Sequence, residues 1–304
     1  MSVTIEQIAK LTIHNGSVYA LVKAENENTF FSGGSEGIVV KWITDLLNQP
    51  IAVAKVDGQI FALCFHSSKN HLLIGTMSGG FHVIDLNEKR EIRYITFHTQ
   101  SIFDIKLWGN KIFVVSKDGT LSIWSADNYE LERVITVSDA ALRTIEFSIE
   151  KNEAAIGCSD NKIYMLDLNL WKVSAILEAP ENSVFSICFL ERKNELVAGS
   201  RDAQLYIFDS KDHHLKQQLK AHLFTINHIL HLQKLNMVVT ASRDKTIRIW
   251  DAENFELLKS INKEKYNGHI NSVNKLLWIA SQNYLLSCSD DRSVIIWKIN
   301  SQAD

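Results

Sequence analysis

Residues 242–251, SRDKTIRIWD, combine a polar turn with a short alternating strand. Ser242 and Asp244 come first, an apolar–polar alternation follows, and Trp250 precedes Asp251. Such alternation is typical of a half-buried β-strand. The fold depends on whether this segment is unique or one copy of a repeated unit.

Equivalent segments occur seven times along the chain, and the positions equivalent to Trp250 are separated by 42, 40, 42, 42, 42 and 47 residues. These positions, called here the tryptophan positions, hold Trp42, Ile84, Trp124, Leu166, Phe208, Trp250 and Trp297. Six residues earlier stand Glu36, Ser78, Asp118, Asp160, Asp202, Asp244 and Asp291. Fourteen residues earlier stand Asn28, Asn70, Asn110, Asn152, Asn194, Asn236 and Asn283. Because asparagine tolerates positive φ, its presence in every copy predicts a regular tight turn.

Each unit contains short apolar runs separated by turn residues, for example SVFSICFL, ELVAGS and QLYIFDS, and helical periodicity is absent. A unit of this length with WD-type endings resembles the repeat of the WD40 family, and the resemblance covers essentially the whole chain. It implies an all-β fold, a seven-bladed β-propeller with four antiparallel strands in each blade.

The repeats give the boundaries of a single propeller domain spanning residues 1–304. The predicted blades 1 to 7 are residues 13–55, 56–97, 98–137, 138–179, 180–221, 222–268 and 269–300. After Trp297 the chain can complete only a third strand of blade 7. Residues 4–14 align with residues 212–222, the segment that ends at His222. Residues 1–12 are therefore predicted to supply the outer strand of blade 7 and to close the ring.

In the WD40 family a buried polar network joins a histidine, a serine, an aspartate and the tryptophan. The matching sets are His98, Ser116, Asp118 and Trp124 in blade 3; His222, Ser242, Asp244 and Trp250 in blade 6; and His269, Ser289, Asp291 and Trp297 in blade 7. Because the set recurs, it is interpreted as a structural network and not as a catalytic triad. Blade 1 has Gly34 and Glu36 at the serine and aspartate positions, and blades 2, 4 and 5 lack both the histidine and the tryptophan. Those blades are expected to depend more on apolar packing.

Charge and composition exclude several functions. The chain has 32 basic and 35 acidic residues and a net charge of −3, so neither nucleic acid nor a membrane is an expected partner. Without an apolar run of membrane-spanning length or a secretion signal, the expected location is cytoplasmic. The four cysteines lie in apolar segments without metal-ligand spacing. His213 and His214 share a turn without an obvious third ligand. No metal and no cofactor are expected.

No catalytic motif appears in the sequence, and the chain is predicted not to be an enzyme. The glycine-rich segment GGSEG at 33–37 lacks the lysine of a phosphate-binding loop and is interpreted as a turn. The alternative is an enzyme or small-ligand binder that uses the central channel, toward which Asp104, His228 and Lys275 could point.

The resemblance implies that ligands meet one face of the propeller, where three positions of each blade project. The third residues after the histidine position are Ser17, Gln59, Ser101, Ala141, Ser183, Thr225 and Ser272. The fifth residues are Tyr19, Phe61, Phe103, Arg143, Phe185, Asn227 and Asn274. The residues that precede the turn aspartate position are Ser35, Met77, Lys117, Ser159, Arg201, Arg243 and Asp290.

Aromatic residues and Met77 gather on blades 1 to 3, whereas Arg143, Arg201 and Arg243 fall on blades 4 to 6. This distribution predicts a non-catalytic scaffold that docks a protein or peptide with an apolar anchor and acidic groups. The competing interpretation is that the aromatic rings pack only against neighbouring blades and that the arginines belong to the family background. The connection before His269 is five residues longer than its equivalents, and it is expected to form a solvated loop, with Tyr266 as an alternative flap beside the site.

Overall fold

The computed structural model describes residues 2–302, which form seven four-stranded antiparallel sheets. The first strand is β1 (Ser2–Leu11). Blade 1 contains β2 (Val18–Lys23), β3 (Thr29–Gly34), β4 (Ile38–Ile43) and β5 (Ile51–Lys55). Blade 2 contains β6 (Ile60–His66), β7 (His71–Thr76), β8 (Phe81–Asp85) and β9 (Arg90–Ile95). Blade 3 contains β10 (Ile102–Trp108), β11 (Lys111–Ser116), β12 (Thr120–Ser125) and β13 (Leu131–Thr136).

The remaining blades repeat this order. Blade 4 contains β14 (Leu142–Ser148), β15 (Glu153–Cys158), β16 (Ile163–Asp167) and β17 (Lys172–Leu177). Blade 5 contains β18 (Val184–Leu190), β19 (Glu195–Ser200), β20 (Gln204–Asp209) and β21 (Leu215–Lys220). Blade 6 contains β22 (Ile226–Leu232), β23 (Met237–Ser242), β24 (Ile247–Asp251) and β25 (Leu257–Ile261). Blade 7 contains β26 (Val273–Ile279), β27 (Tyr284–Ser289) and β28 (Val294–Gln302).

The N-terminal strand closes the ring, as predicted. β1 pairs antiparallel with β28 from Ser2 opposite Gln302 to Leu11 opposite Val294, and so becomes the fourth strand of blade 7. Short helical turns occur at Thr44–Leu46, Ser67–Lys69, Glu191–Lys193, Gln233–Leu235 and, as the α-helix α1, Lys263–Tyr266. Among the described residues there is no helix long and apolar enough to span a membrane.

The hydrophobic core lies between the blades. Seven buried clusters each combine residues of two neighbouring blades, including a seventh that joins blade 7 to blade 1. Alternation along one strand explains this: Val238 faces the cluster shared with blade 5, and Val239 faces the cluster shared with blade 7. Burial of Cys64 raises the pKa of its thiol to about 12, as expected for a cysteine that packs as a hydrophobic residue.

The recurrent asparagines lie at the corner between the first and second strands of each blade. Five of the seven have φ between 51° and 55°, whereas Gly109 takes the left-handed conformation just before Asn110. In every blade the asparagine carbonyl accepts a hydrogen bond from the amide of the residue sixteen positions later, at the end of the third strand. The predicted turn is therefore confirmed at five positions. The shared backbone bond connects this turn to the turn that follows the third strand, on the same side of the propeller.

Candidate functional site

The polar network of blade 6 runs without interruption from the core to the surface turn. Trp250 Nε1–H donates to Thr240 Oγ1 at 2.9 Å, and Thr240 Oγ1 lies 2.7 Å from His222 Nε2. His222 Nδ1 lies 2.9 Å from Asp244 Oδ2. Because Thr240 accepts from the indole, its own O–H donates to Nε2, and the neutral imidazole donates from Nδ1 to the carboxylate. Every member of the chain has a partner.

The assignment of serines to this network was wrong. The hydroxyl bonded by the tryptophan and the histidine belongs to Thr240 in blade 6, Ser287 in blade 7 and Ser122 in blade 3. The predicted Ser116, Ser242 and Ser289 instead accept the amide of the turn aspartate two residues later. In blades 6 and 7 the predicted serines lie two residues nearer the surface turn than Thr240 and Ser287, whose hydroxyls accept from the indole.

Blade 1 also carries a complete network, contrary to expectation. Trp42 Nε1–H donates to Ser32 Oγ at 2.7 Å, and His14 bridges Ser32 to Glu36, with Nδ1 2.6 Å from the glutamate oxygen. Gly34 is required at the predicted serine position, since a Cβ there would lie 1.9 Å from the Ser17 carbonyl oxygen. The longer glutamate side chain takes the role of aspartate.

Blades 4 and 5 use a tyrosine in place of the histidine and tryptophan. Tyr164 O–H donates to Asp160 at 2.6 Å, and Tyr206 O–H donates to Asp202 at 2.9 Å. Both tyrosines lie two residues before the tryptophan position, which is the sequence signal that would have identified them. Blades 4 and 5, which were expected to depend more on apolar packing, therefore also have a polar contact at the turn, whereas blade 2 has neither the tyrosine nor the aspartate.

The fifth-position residues share one geometric feature that sequence spacing could not reveal. In every blade the pairing of the first and second strands skips one residue, as between Ile102 and Asp104 in blade 3. The skipped residues are Tyr19, Phe61, Phe103, Arg143, Phe185, Asn227 and Asn274. A β-bulge of this kind redirects a side chain out of the ladder. All seven side chains line one cavity of about 280 Å³, called here the mouth.

Five of the mouth residues form a continuous line of contacts. Ring centroids of Tyr19 and Phe61 are 5.1 Å apart, and those of Phe61 and Phe103 are 5.7 Å apart. The Arg143 guanidinium lies between two rings, with its Cζ 4.4 Å from the Phe103 centroid and 4.9 Å from the Phe185 centroid. These distances are those of aromatic and cation–π contacts. The rings of neighbouring blades pack on each other and also border the cavity.

The two remaining fifth-position residues, Asn227 and Asn274, form hydrogen bonds within the protein. Asn227 Nδ2–H donates to Ser272 Oγ and to the Val273 carbonyl. Asn274 Nδ2–H donates to the Val18 carbonyl and to Asp290 Oδ1, both at 2.9 Å. Arg143 Nε–H likewise donates to Ser159 Oγ at 2.7 Å. The asparagine side of the mouth therefore serves mainly to join blades 6, 7 and 1.

The residues preceding the turn aspartate lie around the mouth. In each blade their amide bonds the carbonyl of the third-position residue, for example Arg201 to Ser183 at 2.9 Å. Met77, Lys117, Arg201 and Arg243 are exposed, and none of the four lines the cavity. Arg201 and Arg243 are thus available from solvent, whereas Arg143 belongs to the mouth itself.

Two exposed apolar residues on the same face were missed by sequence reasoning. Leu223 is 69% exposed and Phe224 is 59% exposed. They directly follow His222, and the Phe224 carbonyl accepts a hydrogen bond from Ser242, next to Arg243. The corresponding positions of blades 1 to 5 are glycine, alanine or polar residues, a contrast that was visible in the sequence.

The long connection before His269 is a short helix and not a loop. The Asn262 side chain caps α1 by accepting the Lys265 amide at 3.0 Å, and Asn267 ends it with φ 52°. Tyr266 is half-buried against the cluster between blades 6 and 7. Because packing holds this ring in place, it does not act as the flap that the sequence allowed.

The three channel residues do converge. Asp104, His228 and Lys275 line the mouth cavity, and His228 also borders a second cavity of about 400 Å³ that contains the Lys106–Glu146 ion pair. Burial and the two nearby lysines hold the pKa of His228 well below its usual value. Its neutral ring accepts the Leu276 amide at 3.3 Å. Asp104 accepts bonds from Thr144 and from the Ile145 amide, so these groups hold neighbouring blades together.

His214 lies in a cluster of possible metal ligands that the sequence analysis did not anticipate. Ligand atoms of Asp209, Asp212 and His214 lie within 4.8 Å of one another. However, Asp212 and His214 are exposed, Asp209 accepts the Lys211 amide, and Asp212 bonds His214. The cluster is adequately explained by the turn between β20 and β21.

Comparisons with known proteins agree with this architecture. The family described as "NUP159/214 beta propeller" matches residues 48–198, and the family described as "WD domain, G-beta repeat" matches residues 213–251 and 260–298. Among solved structures, the WD40 beta propeller domain of Doa1 is similar, with a TM-score of 0.85 at 18% sequence identity, over 99% of this chain and 98% of that one. At this identity the likeness concerns the fold alone. No curated protein sequence matches the chain.

Proposed function

Because the chain is a seven-bladed WD40-repeat propeller, and such propellers are typically protein-interaction scaffolds without catalytic activity, we propose that it docks a partner protein or peptide on the face that carries the mouth. The observation that carries the proposal is the set of seven bulges. In each blade the pairing of the first and second strands skips one residue, and all seven skipped residues deliver a side chain to the same cavity. Such repeated bulges beside a cavity are typical of functional positions.

The chemistry of this face favours a partner that is both apolar and acidic. The line from Tyr19 to Phe185 offers aromatic area that is already rigid, so little side-chain entropy is lost on binding. Arg201 and Arg243 stand outside the mouth with exposed guanidinium groups, which suit carboxylates. Leu223 and Phe224 extend the apolar area beside Arg243. We therefore propose an apolar anchor at the mouth and acidic groups at its rim.

Affinity capture from a lysate, followed by mass spectrometry, tests the proposal. The baits are the wild-type chain, Arg201→Glu, and the matched control Lys234→Glu on the opposite face, where Lys234 is exposed at the corner between β22 and β23. A partner of the mouth face is captured by the wild type and the control, is lost with Arg201→Glu, and is captured less in high salt. Equal capture by all three baits would contradict a site on this face.

One observation favours a second candidate, the binding of a small anion in the channel. Lys275 lines the mouth cavity, and its ammonium has no ion pair or hydrogen bond with the described residues. Burial lowers its pKa, Asp104 acts in the opposite direction, and Lys106 adds to the lowering. A bound phosphate would relieve the unpaired charge. Phosphate should then raise the melting temperature of the wild type and not of Lys275→Met.

A further inference from the structure

The turn between the third and fourth strands carries a residue, called here the plug residue, that fills the gap to the preceding blade in blades 3, 4 and 6. It lies five residues after the tryptophan position and has left-handed φ of 55° to 65° at Lys89, Tyr129, Trp171, His213 and Phe255. Tyr129 and Phe255 are buried, in clusters shared with blades 2 and 5. A lysine of the preceding blade covers each ring, with Lys69 Nζ and Lys193 Nζ both 5.5 Å from the ring centroid.

The gap between blades 3 and 4 shows the complete arrangement. Phe113 of blade 3 contacts Phe147 of blade 4, with ring centroids 4.8 Å apart. The plug residue Trp171 stacks on Phe113 at 6.3 Å and an interplanar angle of 20°. Trp108 stacks on Phe147 at 4.8 Å with an interplanar angle of 6°. Four aromatic rings therefore fill the space between these two blades.

The gap between blades 1 and 2 contains only half of this arrangement. Phe31 and Phe65 occupy the positions of Phe113 and Phe147, with centroids 5.8 Å apart and planes at 29°. The position of Trp171 is held by the exposed Lys89 and that of Trp108 by the exposed Asn26. In blade 1, moreover, β5 pairs with β4 only over residues 38–41, because a helical turn replaces the tight hairpin. The result is a groove of about 810 Å³, called here the side groove.

The walls of the side groove match an aromatic side chain next to a carboxylate. Phe31, Phe65 and Leu86 form its floor, and the exposed Ile51 stands at its edge. Lys41 and Lys89 also line it, against the single carboxylate of Glu25. Neither lysine forms an ion pair within the described residues. An aromatic ring placed in the side groove as Trp171 is placed between blades 3 and 4 would contact Phe31. A carboxylate next to that ring would reach Lys41 and Lys89.

We infer that the side groove is a second docking site, separate from the mouth, for a peptide segment in which an aromatic residue is followed by an acidic one. The gaps before blades 3, 4 and 6 are filled by the protein's own Tyr129, Trp171 and Phe255. In the side groove the position equivalent to Trp171 is not filled by an aromatic ring of the protein, so a partner's side chain can occupy it. The inference is independent of the proposed function, because the side groove lies beside the corners of the first and second strands, on the face opposite the mouth.

Titrations with three capped dipeptides test the inference: acetyl-Trp-Glu-amide, acetyl-Trp-Gln-amide and acetyl-Ala-Glu-amide. The readout is the set of methyl NMR signals of Ile51, Val53 and Leu86 in the full chain, so that binding at the mouth is not counted. The Trp-Glu peptide is expected to shift these signals with the lowest Kd. Replacing Glu by Gln should raise the Kd about threefold, and replacing Trp by Ala should raise it about tenfold.

Three variants complete the test. Lys89→Trp should fill the groove from within and abolish the shifts without lowering the melting temperature, since Trp171 already adopts the same φ of 55°. Lys89→Glu, a surface change, should leave the groove open and remove the preference for Trp-Glu over Trp-Gln. Phe103→Ala at the mouth should leave all three titrations unchanged. Shifts that persist in Lys89→Trp, or an Ala-Glu peptide that binds as well as Trp-Glu, would overturn the inference.

Discussion

Blades 6 and 2 are built from the same strands but stabilised by different groups. In blade 6 the indole of Trp250, the Thr240 hydroxyl, the His222 imidazole and the Asp244 carboxylate form one bonded chain. In blade 2 the tryptophan position holds Ile84, and the turn holds Ser78, whose hydroxyl bonds Thr76 at 3.0 Å. The comparison separates what the apolar core contributes from what the polar network adds.

Blade 2 also contains an unsatisfied polar group. His82 is 6% exposed, and neither ring nitrogen makes a hydrogen bond within the described residues. A carboxylate oxygen of Glu91 lies 3.5 Å from Nδ1, too poorly placed for a hydrogen bond. The ring instead stacks on Tyr94 at 4.4 Å. Because a buried polar group without a partner costs stability, blade 2 should be the least stable part of the ring.

Trp250→Ala should have the largest effect. It removes a side chain that is 4% exposed and leaves the Thr240 hydroxyl without the indole donor, so the free energy of unfolding should fall by about 3–5 kcal/mol. Urea denaturation measures the change. A loss below about 1 kcal/mol would mean that the neighbouring blades support blade 6 without its network.

Asp244→Ala and Ser78→Ala test the two turn positions directly. The aspartate change leaves the His222 ring and the Leu223 amide without their acceptor and should cost about 1–3 kcal/mol. The serine is exposed, so its change should cost less than about 0.5 kcal/mol. Comparable losses in the two variants, measured by urea denaturation, would remove the distinction between the blades.

The double substitution Ser78→Asp with His82→Tyr should convert blade 2 to the type found in blades 4 and 5. There Tyr164 and Tyr206 donate to an aspartate four residues earlier, which is the spacing between positions 82 and 78. The new bond and the removal of the unsatisfied imidazole should stabilise the protein by about 1 kcal/mol. Thermal unfolding measures the gain, and His82→Tyr alone is the matched control. A double variant no more stable than this control would contradict the role assigned to the bond.

Acid should act on both blades through buried histidines. Burial lowers the pKa of His82 and of His222, and the nearby carboxylates offset only part of this effect. Below pH 6.5 the unfolded chain therefore binds protons that the folded protein does not, and stability falls as the pH decreases. His82→Tyr should reduce the slope between pH 7 and 5 by at most one proton, about 1.4 kcal/mol per pH unit. An unchanged slope would show that the pKa of His82 is the same in the folded and unfolded states.

The repeated features of the fold could be predicted from the sequence because each is local and periodic. The seven tryptophan positions and the pairing of β1 with β28 follow from the spacing of the repeats, and the four strands of each blade follow from the resemblance to the WD40 family. The hydroxyl partner of the indole could not be assigned in this way. It comes from the second strand in blades 1, 6 and 7 but from the third strand in blade 3, at Ser122, and only side-chain direction distinguishes the candidates.

The candidate site was predictable by position but not by geometry. The resemblance to the WD40 family pointed to Phe103 and its six equivalents, whereas the bulge that directs them to one cavity depends on pairing between strands. The side groove could not be predicted from the sequence. Lys89 becomes informative only when Tyr129, Trp171 and Phe255 are seen to fill the equivalent gaps.

Calorimetric titration of the captured partner against wild type, Phe103→Ala and Lys234→Glu tests the central proposal, that the mouth docks the partner, most directly. Phe103 joins the aromatic line to Arg143, so its truncation should weaken binding by about 1–3 kcal/mol, which corresponds to an increase in Kd of about 5- to 150-fold. Lys234→Glu should leave the Kd unchanged, and both variants should first be shown to melt like the wild type. If Phe103→Ala binds like the wild type while Lys234→Glu fails to bind, the opposite face is the docking surface and the proposal is wrong.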